Sequence, residues 1–372
     1  MKNLYDIKKA KNLDDLELRV YTSRLLGASD ELVLHGGGNT SVKIDDTLYV
    51  KGSGWDLATI EKEGFSPVNL KALQDMAKLD TLSDSDMVRL QREAMSNKSA
   101  PNPSVEAILH AIIPFKYVDH THADAVVTLS NSKDGQKVLK EIYQDFLIVP
   151  YVMPGFVLAK KVYEMTKDIE WSKLGGIILL NHGIFTFDDD AKASYDKMID
   201  AVAKAQLEIS KPPIDLAELK EVMSEKKGYE VSIKINNSFM AKEFSLLPSS
   251  HRYGILTPEH VLRTKRFPLL LEDDVKNAVE SYIQEYKEYF NRYKKDHIMI
   301  NPAPNWAVVR GYGVITFGKD DKECSIIEDI VLHTIQAVFD AKKYGGFESI
   351  SEADTFAMEY WELEQAKLKK QG

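Results

Sequence analysis

Apolar positions in this chain recur at two spacings, and stretches of each kind alternate. Residues 13–26 repeat apolar side chains three and four apart, with Asp14 and Asp15 at the start. That pattern predicts an amphipathic helix with acid near its positive end. HGGGNTSVKIDDTLYVKGSG (residues 35–54) follows. Its β-rich runs, 40–44 and 47–51, meet at Asp45-Asp46 and predict a hairpin between glycine-rich turns at 36–39 and 52–54. Helices are predicted over 69–77 and over 84–95, the second capped by Ser83 or Ser85. Pro101-Asn102-Pro103 sets up a helix over 104–113, with Ser104 as its cap and Pro114-Phe115 as its end. Beyond it come a strand at 117–122, a β-rich run at 146–152 and a helix at 157–166. A buried strand at 176–180 precedes a long helix at 192–209, closed by Pro212-Pro213. The order is that of an α/β protein whose strands deliver residues to a site from their ends.

Residues 218–228 are highly charged and read as a solvated stretch, so a lobe boundary is expected near residue 230. The expected division is 1–230 and 231–372. ILLNHGIFTFDDDAKASYDKMIDAVAKAQL (178–207) is echoed by VVRGYGVITFGKDDKECSIIEDIVLHTIQA (308–337). At one constant shift Gly183 meets Gly313, Thr186 meets Thr316, Phe187 meets Phe317, Asp190 meets Asp320 and Lys192 meets Lys322. Tyr312 stands where His182 stands. Either these are two strand–turn–helix units of one kind, the second degenerate, or the likeness is chance.

Composition narrows the picture. With 372 residues, 44% hydrophobic and 28% charged, the chain can bury a large core in two lobes. A net charge of −9, from 48 basic and 57 acidic side chains, argues against a nucleic-acid surface. It leaves room for a local basic pocket. Cys324 is the only cysteine, so no internal disulfide is possible, and a reducing cytoplasm fits. The opening MKNLYDIKKAKNLDDLE lacks an apolar targeting core. No apolar run approaches the roughly 18 residues of a spanning helix, so no membrane partner is expected.

The candidate chemistry lies in EAILHAIIPFKYVDHTH (106–122) and in Asn181-His182-Gly183. His120 and His122 are two apart on an extended run and face one side. Glu106 and His110 are four apart on a helix and share a face. With His182 at a strand end, one carboxylate and three imidazoles can converge on a divalent metal and leave a position open. Satisfied surface or core histidines are the alternative. Glu106 is then a proton-moving group or a fourth ligand, and His110 a partner or packed core. His35 is a further candidate for touching substrate. Gly38 and Asn39, Ser53 and Gly54, and the helix cap Ser104 form three features that favour an anion, each alone an ordinary turn or cap. Lys43 and Lys51 are either charge partners or exposed strand lysines. His260, Arg263 and Lys265 read as a solvated face or as contacts to an anion or a neighbouring subunit. Tyr360-Trp361 reads as an anchor for the tail.

HGGGNTSVK, KGSGWDL, PSVEAILHA, VDHTHADA and NHGIFTF together resemble the class II aldolase/adducin family. RTKRFPLL and the closing MEYWELEQAKL narrow the likeness to the aldolase part of bifunctional rhamnulose-1-phosphate aldolase/short-chain dehydrogenases. The resemblance implies a class II aldolase-like α/β/α domain with a central, mainly antiparallel sheet, followed by a C-terminal α/β lobe. It implies zinc on His120, His122 and His182, Glu106 as acid/base, and Gly38, Asn39, Ser53, Gly54 and Ser104 around a substrate phosphate. The implied reaction cleaves a ketose 1-phosphate to dihydroxyacetone phosphate and an aldehyde through a metal-bound enediolate. A homo-oligomer, possibly a tetramer, is implied as well. Epimerase or dehydratase chemistry on the same fold and a non-catalytic adducin-like binder are the alternatives; the binder predicts lost ligands, and all four are present. The chain contains no Gly-x-Gly-x-x-Gly, so dehydrogenase activity is not carried over.

Overall fold

The computed structural model describes residues 1–272 and 274–362; the end of the closing motif, from residue 363, lies outside the described residues. The chain divides into two compact units, Met1–Lys211 and Pro212–Gly372. The division falls earlier than the expected boundary near residue 230. The charged stretch is the reason: it is a helix, Leu216–Lys227, which buries Leu219, Val222 and Met223 in the second unit and ends at Gly228 with φ 78°. Its charges lie on the outer face, and the apolar spacing was hidden among them.

The first unit is built on seven strands: β1 (Asn39–Ile44), β2 (Thr47–Lys51), β3 (Phe65–Asn69), β4 (Tyr117–Thr121), β5 (Phe146–Val149), β6 (Gly176–Leu179) and β7 (Gly183–Asp188). Their order is β3-β2-β1-β4-β7-β6-β5. Every pairing is antiparallel except β5 with β6. Side chains alternate between the two faces of a sheet. Ile177 and Leu179 therefore join Val118, Phe185 and Phe187 in one core, while Ile178 and Ile184 enter another. Helices Leu70–Met76, Ala107–Ile112 and Phe156–Thr166 cover the first face; Asp15–Gly27, Asp124–Ser130 and Ala191–Ser210 cover the second. The result is the α/β/α sandwich with a mainly antiparallel sheet that the resemblance implied. The hairpin turns at Asp45-Asp46, with Asp45 at φ 50°.

One helix start differs from expectation. Ser104 is not the cap: the helix begins at Ala107, with Glu106 at the N-cap position. The Ser104 amide is taken by the Lys51 carbonyl at 3.1 Å, so residues 101–104 run alongside the end of β2 instead of turning into the helix.

The second unit has four strands, β8 (Ser232–Asn236), β9 (Leu269–Leu271), β10 (Trp306–Val309) and β11 (Gly313–Gly318), in the order β8-β11-β10-β9. Their directions repeat those of β4-β7-β6-β5: antiparallel, antiparallel, then parallel. β10 and β11 lie at the positions reached from β6 and β7 by the shift that aligns the echoed segments. Asp190 and Asp320 cap the following helices in the same way, and the Thr186 and Thr316 hydroxyls donate to the carbonyls of Ser194 and Cys324. His120 pairs with Phe185, and Ile235 pairs with Ile315, the residue matching Phe185. The second sheet thus carries Ile235 and Tyr312 where the first carries His120 and His182.

Candidate metal centre

Three strand ends meet at the site. His120 lies near the end of β4, His122 just past it, and His182 in the turn between β6 and β7. Asn181, at φ 59°, makes that turn tight, and its side chain is tied to Asn131 at 2.7 Å. One ring nitrogen from each histidine lies within 4.8 Å of the others. The ring centroids are 4.9, 5.1 and 5.2 Å apart. Gly183 makes room for them: a Cβ there would meet the Thr121 carbonyl at 2.4 Å and His120 Cε1 at 2.9 Å.

The His120 ring is also aimed. His120 is fully buried and stacks on Phe185 at 4.1 Å. Its Nδ1 donates to the Ile184 carbonyl at 3.1 Å, which leaves the Nε2 lone pair free. That Nε2 is buried and has no hydrogen-bond partner. Glu106 Oε1 is likewise buried and unpartnered. Glu106 reaches His120 and His182 at 3.5 Å each. Orphaned acceptors of this kind are costly unless something completes them. Three neutral imidazoles with a carboxylate beside them fit a divalent cation.

Charge follows burial. Desolvation pushes His120 well below the usual histidine range, with the neighbouring His122, His182 and His110 adding to it. Burial lowers His122 too, helped by Lys51; it lowers His182 against the pull of Glu106. The same desolvation raises Glu106, opposed by His182, Asn39 and Lys51. Neutral imidazole is the form that binds a metal.

A chain of side chains fixes Glu106. Ser41 Oγ donates to His110 Nδ1 at 2.7 Å, His110 Nε2 donates to Asn39 Oδ1 at 2.5 Å, and Asn39 Nδ2 donates to Glu106 Oε2 at 2.6 Å. Burial holds His110 neutral, as this tautomer requires. Asn39 is therefore engaged with the carboxylate and His110. The other residues expected around a phosphate are placed as follows. Gly38 has φ 63° beside the His120 carbonyl, and Gly54 has φ 85° with open space at its Cβ position. The Ser53 amide is bound to Asn102 and its side chain is exposed; Ser104 Oγ accepts from the Glu106 amide at 3.2 Å. His35 is exposed, at φ 49°.

Lys51 is not an exposed strand lysine. It is buried, its Nζ donates to the Gly36 carbonyl at 3.0 Å, and desolvation lowers it against the charges of Asp56 and Glu106. Lys43 caps the Phe115 carbonyl at 2.7 Å instead. Lys265 is also buried, paired with Glu359 at 3.5 Å, which corrects the solvated-face reading for that residue; Arg263 is exposed. Sequence reasoning missed Arg19 and Asp119, a fully buried pair at 2.5 Å behind β4. The signal was present: Arg19, Thr22, Ser23 and Leu26 form the buried face at helical spacing.

This chain belongs to the class II aldolase and adducin family. The description Class II Aldolase and Adducin N-terminal domain matches residues 17–209, and Aldolase class II, second domain, matches residues 215–368. Uncharacterized oxidoreductase YuxG of Bacillus subtilis (strain 168) is 29% identical over 417 residues, taking in 99% of this chain. The chain spans 60% of that relative's length. The N-terminal class II aldolase domain of a conserved protein from Thermoplasma acidophilum is 38% identical, with a TM-score of 0.52, over 56% of this chain and 99% of that one. L-fuculose-1-phosphate aldolase from Thermus thermophilus is 17% identical, with a TM-score of 0.35, over 51% of this chain and 93% of that one. Among the described residues no helix is long and apolar enough to cross a membrane.

Proposed function

We propose that the protein is a zinc-dependent aldolase that cleaves a ketose 1-phosphate, of the rhamnulose 1-phosphate kind, to dihydroxyacetone phosphate and an aldehyde. The observation that carries this reading is the meeting of three clustered imidazoles with a carboxylate whose Oε1 has no hydrogen-bond partner. His120, His122 and His182 would hold the ion, which supplies positive charge where negative charge builds on the substrate oxygens. Glu106 moves the proton: as carboxylate it takes one from the carbon beside the carbonyl in the synthesis direction and returns it during cleavage. Burial raises its affinity for a proton, which favours holding that proton between its removal and its return. Asn39, held by His110, keeps Oε2 in place and leaves Oε1 facing His182. Gly38, Asn39, Ser53, Gly54 and Ser104, with the Lys51 ammonium beside them, are the proposed phosphate cradle.

The proposal includes residues 231–372 as a degenerate repeat, a homo-oligomer, with a tetramer as the form to test, and a cytoplasmic setting. Exposed Tyr151, Met153 and Val157, within one short stretch, are the kind of apolar surface a neighbouring subunit covers. The Bacillus relative is named an oxidoreductase, but this chain contains no dinucleotide fingerprint, so oxidation is not assigned to it. The test is a panel of ketose 1-phosphates and free ketoses with and without zinc, read as release of two fragments. Glu106→Gln should keep the metal and lose at least about a hundredfold in turnover. Failure to cleave any substrate, with only traces of bound metal, would overturn the reading.

A further inference from the structure

Two segments narrowed the resemblance, RTKRFPLL and MEYWELEQAKL; among the described residues, neither the first nor residues 358–362 of the second belong to the metal centre. They meet in the second unit. Lys265 pairs with Glu359, and the Tyr286 hydroxyl bonds both Glu359 and Tyr360 at 2.8 Å. Beside this buried cluster is a cavity of about 270 Å³, into whose lining Tyr286 also enters.

The lining is cationic and aromatic. Arg252, Arg266 and Arg292 all contribute to it, as do His251, Phe267 and Tyr289. Arg252 pairs with Glu285, while Arg266 and Arg292 share the one carboxylate of Glu352. Three guanidiniums against two carboxylates leave one positive charge. Each guanidinium has five N–H donors, and these pairs use one from each. The Arg266 guanidinium lies 4.3 Å from the Phe267 ring centre, a contact that fixes its plane. His251 adds a buried Nδ1 with no hydrogen-bond partner. Planar forks with spare donors are the protein's means of gripping a carboxylate or phosphate at two points. The aromatic walls suit a flat or apolar body attached to it.

We propose that this cavity binds a small metabolite carrying a single oxyanionic group, phosphate or carboxylate, on an apolar or ring-shaped body. Every lining residue belongs to the second unit, and none is a residue of the metal centre.

Calorimetric titration of the full chain with phenyl phosphate, benzoate and inorganic phosphate tests this. EDTA-treated protein and metal-loaded protein are compared, since a ligand of this cavity binds both alike. Arg252→Gln and Arg292→Gln should each weaken binding about tenfold or more, with the thermal midpoint of the free protein little changed. Arg252 and Arg292 are both half exposed, so both variants are expected to fold. Binding of phenyl phosphate but not benzoate assigns the phosphate class, and the reverse assigns the carboxylate class. The proposal is overturned if no probe binds, or if binding survives both substitutions or requires the metal.

Discussion

Gly183 shows how little tolerance the metal centre has at single atoms. A methyl group there would enter the space of the Thr121 carbonyl and crowd His120 and His122. Gly183→Ala is expected to lower bound metal to a small fraction of the wild-type content; metal analysis of the pure protein with full occupancy would contradict that. His110 acts through another residue. It carries the Asn39 amide, which carries Glu106. His110→Ala should lower kcat far more than it raises KM and leave the metal content unchanged. Equal loss of metal would assign His110 a purely structural role. The sequence had placed His110 on the correct face but left its partner open, because an imidazole's hydrogen bonds depend on a strand distant along the chain.

At the scale of elements, β4 is the one on which the site depends. All five of its residues are buried, and its two faces do different work. One presents His120 to the site. The other presents Asp119 to Arg19, with Ser194 donating to the second carboxylate oxygen at 2.5 Å. Removing one member of a buried pair strands the other's charge. Asp119→Ala should cost about 3–5 kcal/mol in urea unfolding and weaken metal binding through the shifted strand; a loss under about 1 kcal/mol would refute the buried pair. Lys43, on β1, gives a pH signature. Burial lowers it to about 7, against the attraction of Asp189. An unfolded lysine keeps its proton to about pH 10.4. Between those values the folded state binds fewer protons, so stability rises with pH. The wild type should therefore trail Lys43→Met by a deficit that is full below about pH 7 and gone above about pH 10.5. Thermal midpoints across that range check it, and a constant difference would rule it out.

At the scale of the molecule, the first unit has its own two cores around one sheet. The Thermoplasma chain that matches it is a solved N-terminal domain, covered to 99%. Residues 1–211 alone are expected to unfold cooperatively and to bind one equivalent of metal. An aggregated fragment without a cooperative transition would show that the second unit is needed to complete it. The repeated strand order places Ile235 and Tyr312 of the second unit at the positions that match His120 and His182, and neither is an imidazole.

The alternating and helical periods determined most elements of the first unit, because each is a local rule linking side-chain direction to burial. Glycine-rich turns and the three histidines were legible for the same reason, and so was the echo between the two halves. Four things were decided only when the chain closed. The helix start moved from Ser104 to Ala107 because a neighbouring strand took the Ser104 amide. Lys51 and Lys265 became buried because burial depends on what packs above a side chain, which spacing does not encode. Arg19 and Asp119 found each other across a hundred residues, and the arginine-lined cavity was assembled from segments that carry no joint pattern along the sequence. Local periodicity states which face turns inward; only packing states what that face meets.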